Sequence, residues 1–294
     1  MNLFKRKFLI YSVVALLIIN LGLFFYFLTV PTPKSTESES LKVVFLDVGQ
    51  GDASLIQTED NKNILIDGGP DKSIIYKLDQ YIPFYNRRID LMILTHPDPD
   101  HLNGLIEVLK RYKVETFIFN GVFDESIDYH QFLKRMDDLG VKKEIVWQGK
   151  KVNIDSGYLE FLFPLENLTE QSLKDDNEGS SVFKLVFGET KIIFTGDATQ
   201  KVENQLIERG LNLSANVLKV GHHGSKSSTS AEFLSKVKPT YAVISVGKNN
   251  KFGHPNLRVL KNLEKVDTQI LRTDQLGDIM FGIEEGGLKI KDKK

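Results

Sequence analysis

Directly after the apolar run Leu91–Leu94 the chain reads Thr95-His96-Pro97-Asp98-Pro99-Asp100-His101, which puts four metal-ligand side chains within six positions. Imidazole nitrogens and carboxylate oxygens together suit a divalent ion. The two intervening prolines stiffen the loop, so less entropy is lost when its side chains converge. Capping of a helix beginning near Leu102 would employ one of these residues, Asp100, and leave three without a use. Three more polar loops follow apolar strands. Thr195-Gly196-Asp197 comes after KIIF, and Gly221-His222-His223-Gly224-Ser225 after NVLKV. Gly247-Lys248-Asn249-Asn250-Lys251-Phe252-Gly253-His254-Pro255 comes after a strand ending at Val246. A Gly-Asp pair is a common turn and a lone histidine means little, but adjacent histidines between glycines have no core-packing use.

The chemistry this set allows is hydrolysis. A bound divalent ion lowers the pKa of water from ~15.7 towards ~7, which supplies hydroxide without a serine or cysteine nucleophile. Asp100 can orient that hydroxide while serving as a ligand. The histidine of the His222–His223 pair that is not bound to metal, or His254, is then available to protonate a leaving oxygen or hold the substrate.

Such loops must be carried to a common edge by strands, and the chain has many. LKVVFLDV, DASLIQT and NKNILID are short β-type runs separated by turn signals. A helix-like segment spans 72–81, the buried strand 91–94 feeds the histidine loop, and apolar residues at 102, 105, 106 and 109 predict a helix over 102–112. A strand at 116–119, a helix at 127–139 and further strands lead to a hairpin turning at Gly188–Glu189. Helix 200–209, strand 217–220 and two helix-plus-strand units end near Ile270 and Ile279. The strands are too numerous for one small sheet, so an α/β fold of two sheets packed face to face, with helices outside, is expected.

The 294 residues are 41% hydrophobic and 26% charged, ordinary for a folded protein. The apolar residues are concentrated at Phe8–Val30, which carries no charge and Asn20 as its one strongly polar side chain. At ~1.5 Å per residue this stretch reaches ~34 Å, enough for a bilayer core of ~30 Å. It is longer than a cleaved signal's apolar region and lacks a small-residue cleavage site, so a retained single span is expected. Lys5, Arg6 and Lys7 precede it, which places the N-terminus in the cytoplasm and the remainder outside. Residues 31–40 read as a polar tether and 41–294 as the hydrolase domain. The absence of cysteine fits an exported chain. Without the three basic residues of 1–30, 35 basic face 39 acidic residues, a net charge of −4 that excludes nucleic-acid binding over the whole surface. Against this, six lysines between Lys219 and Lys251 face only Glu232. They share loops with His222, His223 and His254, which favours contact with an anionic substrate.

The order HPDPDH, TGD and GHHGS, each after a strand, resembles the metallo-β-lactamase superfamily. FLDVGQGD (45–52), LIDGG (65–69), LKVGHHGS (218–225), AVISVG (242–247) and FGHP (252–255) narrow the resemblance. With Leu271-Arg-Thr-Asp274 and Gly277-Asp-Ile279, they are similar to the extracellular hydrolase domain of ComEC-type competence DNA-uptake channels, over roughly Leu41–Ile283. Those channels carry many spans and this sequence shows one, so it looks like a stand-alone relative.

The resemblance implies an αββα sandwich of two mixed sheets and one or two bound divalent ions, Zn²⁺, Mn²⁺ or Mg²⁺. The first metal position would hold His96, Asp98 and a shared Asp197. The second would hold Asp100, His101, Asp197 and either His222 or His223. Asp98 stands where the superfamily usually has a second histidine, and Asn177–Ser181 stands where many members supply another. His130, the sole histidine between the two loops, lies in a helical setting that suits no ligand. Asp67 resembles the aspartate that steadies the ligand loop, and Asp47, Gln50 and Asp52 lie in a supporting turn. Ser225, Lys226, Lys248 and His254 are expected at the substrate. The implied substrate is DNA or another phosphodiester, with DNA-uptake proteins as partners. Two alternatives stand beside it: a cell-surface phosphodiesterase, esterase or lactonase, and a non-catalytic module of an uptake machine.

Overall fold

A computed structural model describes residues 41–155, 157–169, 171–284 and 287–291, together with 11, 16, 17 and 19–22. Most of the expected span Phe8–Val30 and all of the tether 31–40 lie outside the described residues. Among the described residues no helix is long and apolar enough to cross a membrane. Two compact units are distinguished, Met1–Ser38 and Glu39–Lys294. In the first, the described residues are helical, and Asn20 meets its polar demand locally by donating to the Leu16 carbonyl at 2.8 Å.

In the second unit, β1 (Leu41–Phe45), β2 (Ser54–Thr58) and β3 (Asn63–Ile66) form an antiparallel meander. Strands β4 (Arg88–Ile93), β5 (Lys113–Phe119) and β6 (Lys142–Ile145) extend it in parallel. A second sheet starts antiparallel with β7 (Lys151–Ile154), β8 (Gly157–Phe163), β9 (Val182–Phe187) and β10 (Thr190–Phe194). It continues in parallel through β11 (Val217–Lys219), β12 (Tyr241–Ile244) and β13 (Gln269–Arg272). Strands β14 (Ile279–Glu284) and β15 (Gly287–Lys291) return to the first sheet beside β1, giving eight strands there and seven in the second.

Parallel neighbours need crossovers, and helices supply them. Helices α1 (Ser73–Leu78), α2 (Pro99–Leu109) and α3 (Ile127–Asp138) cover the first sheet. Helices α4 (Gln200–Glu208), α5 (Ala231–Val237) and α6 (Leu257–Glu264) cover the second. The two-residue period of a strand assigns its side chains to opposite faces. On β5, Phe117 and Phe119 pack under Phe132 of α3, whereas Ile118 enters the layer between the sheets. That middle layer is centred on a run of rings, Phe161, Phe183, Phe194, Phe45 and Phe281, with successive centroids 5.1–6.1 Å apart. The result is the expected αββα sandwich of two mixed sheets.

One boundary and one strand differ from expectation in ways that have a clear physical reason. Helix α2 begins three residues early because Pro99 occupies its first turn, where a missing N–H costs nothing and φ is already helical. Strand β15 was not expected: Gly-Leu-Lys-Ile-Lys lies on a sheet edge with its lysines outward, a pattern that reads as a polar tail. Strands β1, β3, β4, β10, β11 and β12 all end at one edge of the sandwich, where ligands of open α/β sheets collect.

Candidate metal centre

Strand β4 delivers the histidine loop and helix α2 closes it. Asp98 takes the N-cap place (φ −57°, ψ 144°), yet its side chain makes no capping bond. Its carboxylate instead stands 3.5 Å from Nε2 of the fully buried His96. Asp100 lies in the first turn of α2, where the helix dipole favours a negative charge. The capping use of Asp100 is therefore not the one adopted.

His101 is also fully buried, and its orientation is fixed from behind. Its Nδ1 meets Asp67 Oδ2 at 2.9 Å, and Asp67 also accepts from the N–H and hydroxyl of Thr95, both at 2.8 Å. With Nδ1–H donating to a carboxylate, the Nε2 lone pair faces inward, 3.3 Å from Asp197 Oδ1. Asp67 holds this place at a strained φ of +56°. The approach of α2 to the Asp67 turn depends on Gly104, where a Cβ would lie 1.7 Å from the Gly68 carbonyl oxygen.

Asp197 enters from the second sheet. Gly196 makes the turn at φ +49°, and a Cβ there would meet Thr95 at 2.9 Å. Beyond β11, His222 and His223 both adopt left-handed backbone (φ +49° and +52°), a costly arrangement for two non-glycine residues. This conformation sends the rings to different places. His223 Nδ1 contacts the Ser245 carbonyl at 2.9 Å, and Nε2 faces Asp100 Oδ2 at 3.1 Å and Asp197 Oδ2 at 3.4 Å. His222 stays half-buried, with Nε2 3.8 Å from Asp197 and its ring 5.9 Å from that of His254. The pair is thus separated: His223 takes the inner, ligand-like position and His222 lines the wall.

Charge in the centre follows from this packing. Burial would raise the Asp100 carboxyl, but the hydrogen bond from His223 and the nearby His101 bring it to about 2. Asp197 is held well below the usual carboxylate range as His223 and His101 overcome its burial. Burial disfavours charge on His223, but Asp197 and Asp52 raise it to about 10. His101 is likewise raised, by Asp197 and Asp67. The carboxylates therefore demand positive charge at the inward imidazole nitrogens, a demand that a proton or a metal ion meets equally. His222 and His254 go the other way, burial holding both below the ordinary histidine value.

The residues fit a divalent ion. His96 Nε2, His101 Nε2 and Asp197 Oδ1 are buried without a hydrogen-bond partner among the described residues, a costly state for polar atoms unless something coordinates them. Ligand atoms of His96, His101 and Asp197 lie within 4.8 Å of one another, as do those of Asp100, His101 and His223. These groups share His101 and leave out Asp98, so they divide the residues differently from the two expected positions; Asp52 forms further groups with Asp197 and His223 and with Asp67 and His101.

Other expected residues are distributed unevenly. Asp52 lies against the centre, its carboxylate on Lys219 and 3.3 Å from His223 Nδ1. Gln50 Oε1 accepts from Gly247 N–H at 3.1 Å and ties its turn to the His254 loop. Asp47 faces away, its N–H donating to Asp278 and its carboxylate 4.0 Å from Lys77. Ser225, expected at the substrate, is buried with its hydroxyl 3.0 Å from Ser227, so it shapes the loop instead. Lys226 and Lys248 are exposed and His254 is half-buried.

Lys219 is the main residue that sequence reasoning misplaced. Grouped with the surface lysines, it is in fact 2% exposed, its ammonium on Asp52, 3.2 Å from the Gly196 carbonyl and 4.0 Å from Asp197 Oδ1. It ends β11, a three-residue strand buried at every position, and nothing in its residue type sets it apart from the surface lysines that follow. Asn120 was missed as well; its amide joins the Thr95 and Gly179 carbonyls at 3.3 and 2.8 Å behind the histidine loop.

Comparison with known proteins agrees with this geometry. Over 264 residues, 84% of this chain and 33% of the relative, it is 33% identical to ComE operon protein 3 of Bacillus subtilis (strain 168). It is 32% identical over 262 residues to competence protein ComA of Neisseria gonorrhoeae, covering 87% of this chain and 34% of that one. The chain thus spans about a third of the length of these relatives. Among solved structures, the metallo-beta-lactamase fold protein YhfI from Bacillus subtilis superposes with a TM-score of 0.55 at 15% identity, covering 79% of this chain and 96% of that one. Residues 46–248 match the sequence pattern of the metallo-beta-lactamase superfamily, a stretch that contains every histidine and aspartate of the two ligand groups. The chain belongs to that superfamily.

Proposed function

We propose that this protein is a membrane-anchored phosphodiesterase that cuts DNA outside the cytoplasm, using one or two divalent ions held by His96, Asp98, Asp100, His101, Asp197 and His223. The observation that carries this reading is the convergence of Asp100 and His101, Asp197 and His223 from three loops of both sheets onto one region. An ion held there supplies Lewis acidity for a phosphoryl oxygen and acidifies water.

The chain's own groups do the rest. Asp100, anionic at any physiological pH, is placed to accept a hydrogen bond from the attacking water and hold it in line. His222 and His254 form a wall of neutral imidazoles, suited to donating an N–H to a non-bridging phosphate oxygen. Outside them stand the exposed Lys226, Lys248 and Lys251. Phe252, 58% exposed, stacks on His254 with centroids 5.9 Å apart and 19° between planes. Asn250 braces that loop, accepting from the N–H groups of Phe252 (3.2 Å) and His254 (3.0 Å). Cations for phosphates beside an open aromatic face for a base suit a nucleic-acid strand better than a small ester. The resemblance of the chain's motifs to the hydrolase domain of DNA-uptake channels supports DNA as that strand. Placement outside the cytoplasm rests on the apolar stretch Phe8–Val30 and the basic residues before it.

The test is cleavage of linear DNA and of bis-p-nitrophenyl phosphate by metal-stripped protein resupplied with Mn²⁺, Mg²⁺ or Zn²⁺, beside Asp100→Ala. Metal-dependent cutting of DNA that Asp100→Ala abolishes is the expected result. Cleavage of the small ester alone moves the function to a surface esterase. Inactivity together with no metal uptake leaves a binding module.

A further inference from the structure

The segment Asn177–Ser181 stands between the two ligand loops, where the superfamily resemblance implies a further ligand. We infer that Asn177 Oδ1 and Ser181 Oγ complete the first metal position as neutral oxygen ligands beside His96 and Asp98. The first position is then an oxygen-rich site for a hard ion, distinct from the nitrogen-richer position at His101 and His223. This rests on the reading of the centre as metal-binding.

Both oxygens are in a state that calls for a partner. Asn177 Oδ1 and Ser181 Oγ are buried with no hydrogen-bond partner among the described residues, the same condition as His96 Nε2. Ser181 is 0% exposed. Buried polar atoms without a partner are rare in native folds, so two within five residues call for something that they bind. The Asn177 amide is also turned in a definite direction. Its Nδ2–H donates to Asp175 Oδ1 at 2.9 Å, and its backbone N–H reaches the same oxygen at 3.1 Å, which points Oδ1 the opposite way.

The segment is clamped between the two ligand loops. Ser181 N–H donates to the Thr95 carbonyl at 2.9 Å, immediately before His96. Asp197 N–H donates to Ser180 Oγ at 3.1 Å. Asn120 holds Gly179 and Thr95 together from behind. Residues 179–181 therefore touch both the loop that carries His96 and Asp98 and the loop that carries Asp197, which sets Ser181 between the ligands of the first position and Asn177 at the start of the same short segment. One imidazole with carboxylate, amide and hydroxyl oxygens favours Mn²⁺ or Mg²⁺ over Zn²⁺.

The test uses the full chain in mild detergent, stripped of metal, with Mn²⁺ binding followed by the EPR signal of the free ion and total metal measured after loading. Wild type is expected to take up two Mn²⁺, and the Asn177→Ala/Ser181→Ala double variant to bind the second ion at least tenfold more weakly while keeping the first. Asn177→Asp, which keeps an oxygen in place, should retain both ions and controls for folding. Asn177→His should move that position's preference towards Zn²⁺ by tenfold or more in competition. A double variant that binds two ions with unchanged affinity overturns the inference, as does a wild type that loads only one. A wild type that binds no divalent ion overturns the metal reading itself, which the count of bound ions distinguishes from the other failures.

Discussion

Replacing Asp197 with asparagine is expected to lower metal-dependent phosphodiester hydrolysis by about 10³-fold and to empty the centre of ions. Asp197 faces the histidines of both ligand groups, 3.3 Å from His101 Nε2 and 3.4 Å from His223 Nε2, and stands 3.8 Å from His222 Nε2 outside them. It is 2% exposed, so water cannot substitute for the lost charge. A 10³-fold loss corresponds to ~4 kcal/mol of transition-state stabilisation, the scale of losing one essential electrostatic group. Kinetics on bis-p-nitrophenyl phosphate, with metal content measured on the same samples, would check this. His222→Ala should leave the metal content unchanged, because His222 belongs to neither ligand group.

The second large effect is on stability. Lys219→Met, close in shape but without charge, is expected to destabilise the fold by about 3–5 kcal/mol, because it strands the buried Asp52 carboxylate. Burial alone would raise that carboxyl, and the Lys219 ammonium, with His223, is what holds it below the ordinary value. The Asp52→Asn/Lys219→Met double variant should regain most of the loss, since neither charge is then left alone. Urea unfolding of the single and double variants measures the coupling. Additive losses would mean that the pair contributes little as a pair.

How far the sequence carried depends on what each residue type can signal. His96, Asp98, Asp100, His101, Asp197 and the histidine pair stood out because ligand-type side chains followed apolar strands, and the αββα layers bring those strand ends to one edge. Their neighbours in sequence gave less. His222 and His223 are adjacent and flanked alike, so only their left-handed backbone, which turns one ring inward and the other outward, separates them. Lys219 lay in a run of lysines whose other members are on the surface, and residue type alone does not reveal the buried strand beneath it. Asn177 and Ser181 carry neutral oxygens of the kind that populate every turn, and what marks them is burial without a partner. Asp47 shared a motif with Asp52 but joins Lys77 and Asp278 instead of the centre. Ser225 follows the histidine pair closely, yet the loop folds its hydroxyl inward onto Ser227.

The proposed function depends on a divalent ion held between Asp100, His101, Asp197 and His223. The most direct measurement is an anomalous difference map from crystals of the protein grown with Mn²⁺, with data collected on either side of the manganese edge. A strong peak among His101 Nε2, His223 Nε2 and the carboxylates of Asp100 and Asp197 is the expected result. A map without a peak there, from crystals whose solution carries Mn²⁺ at millimolar concentration, would contradict it.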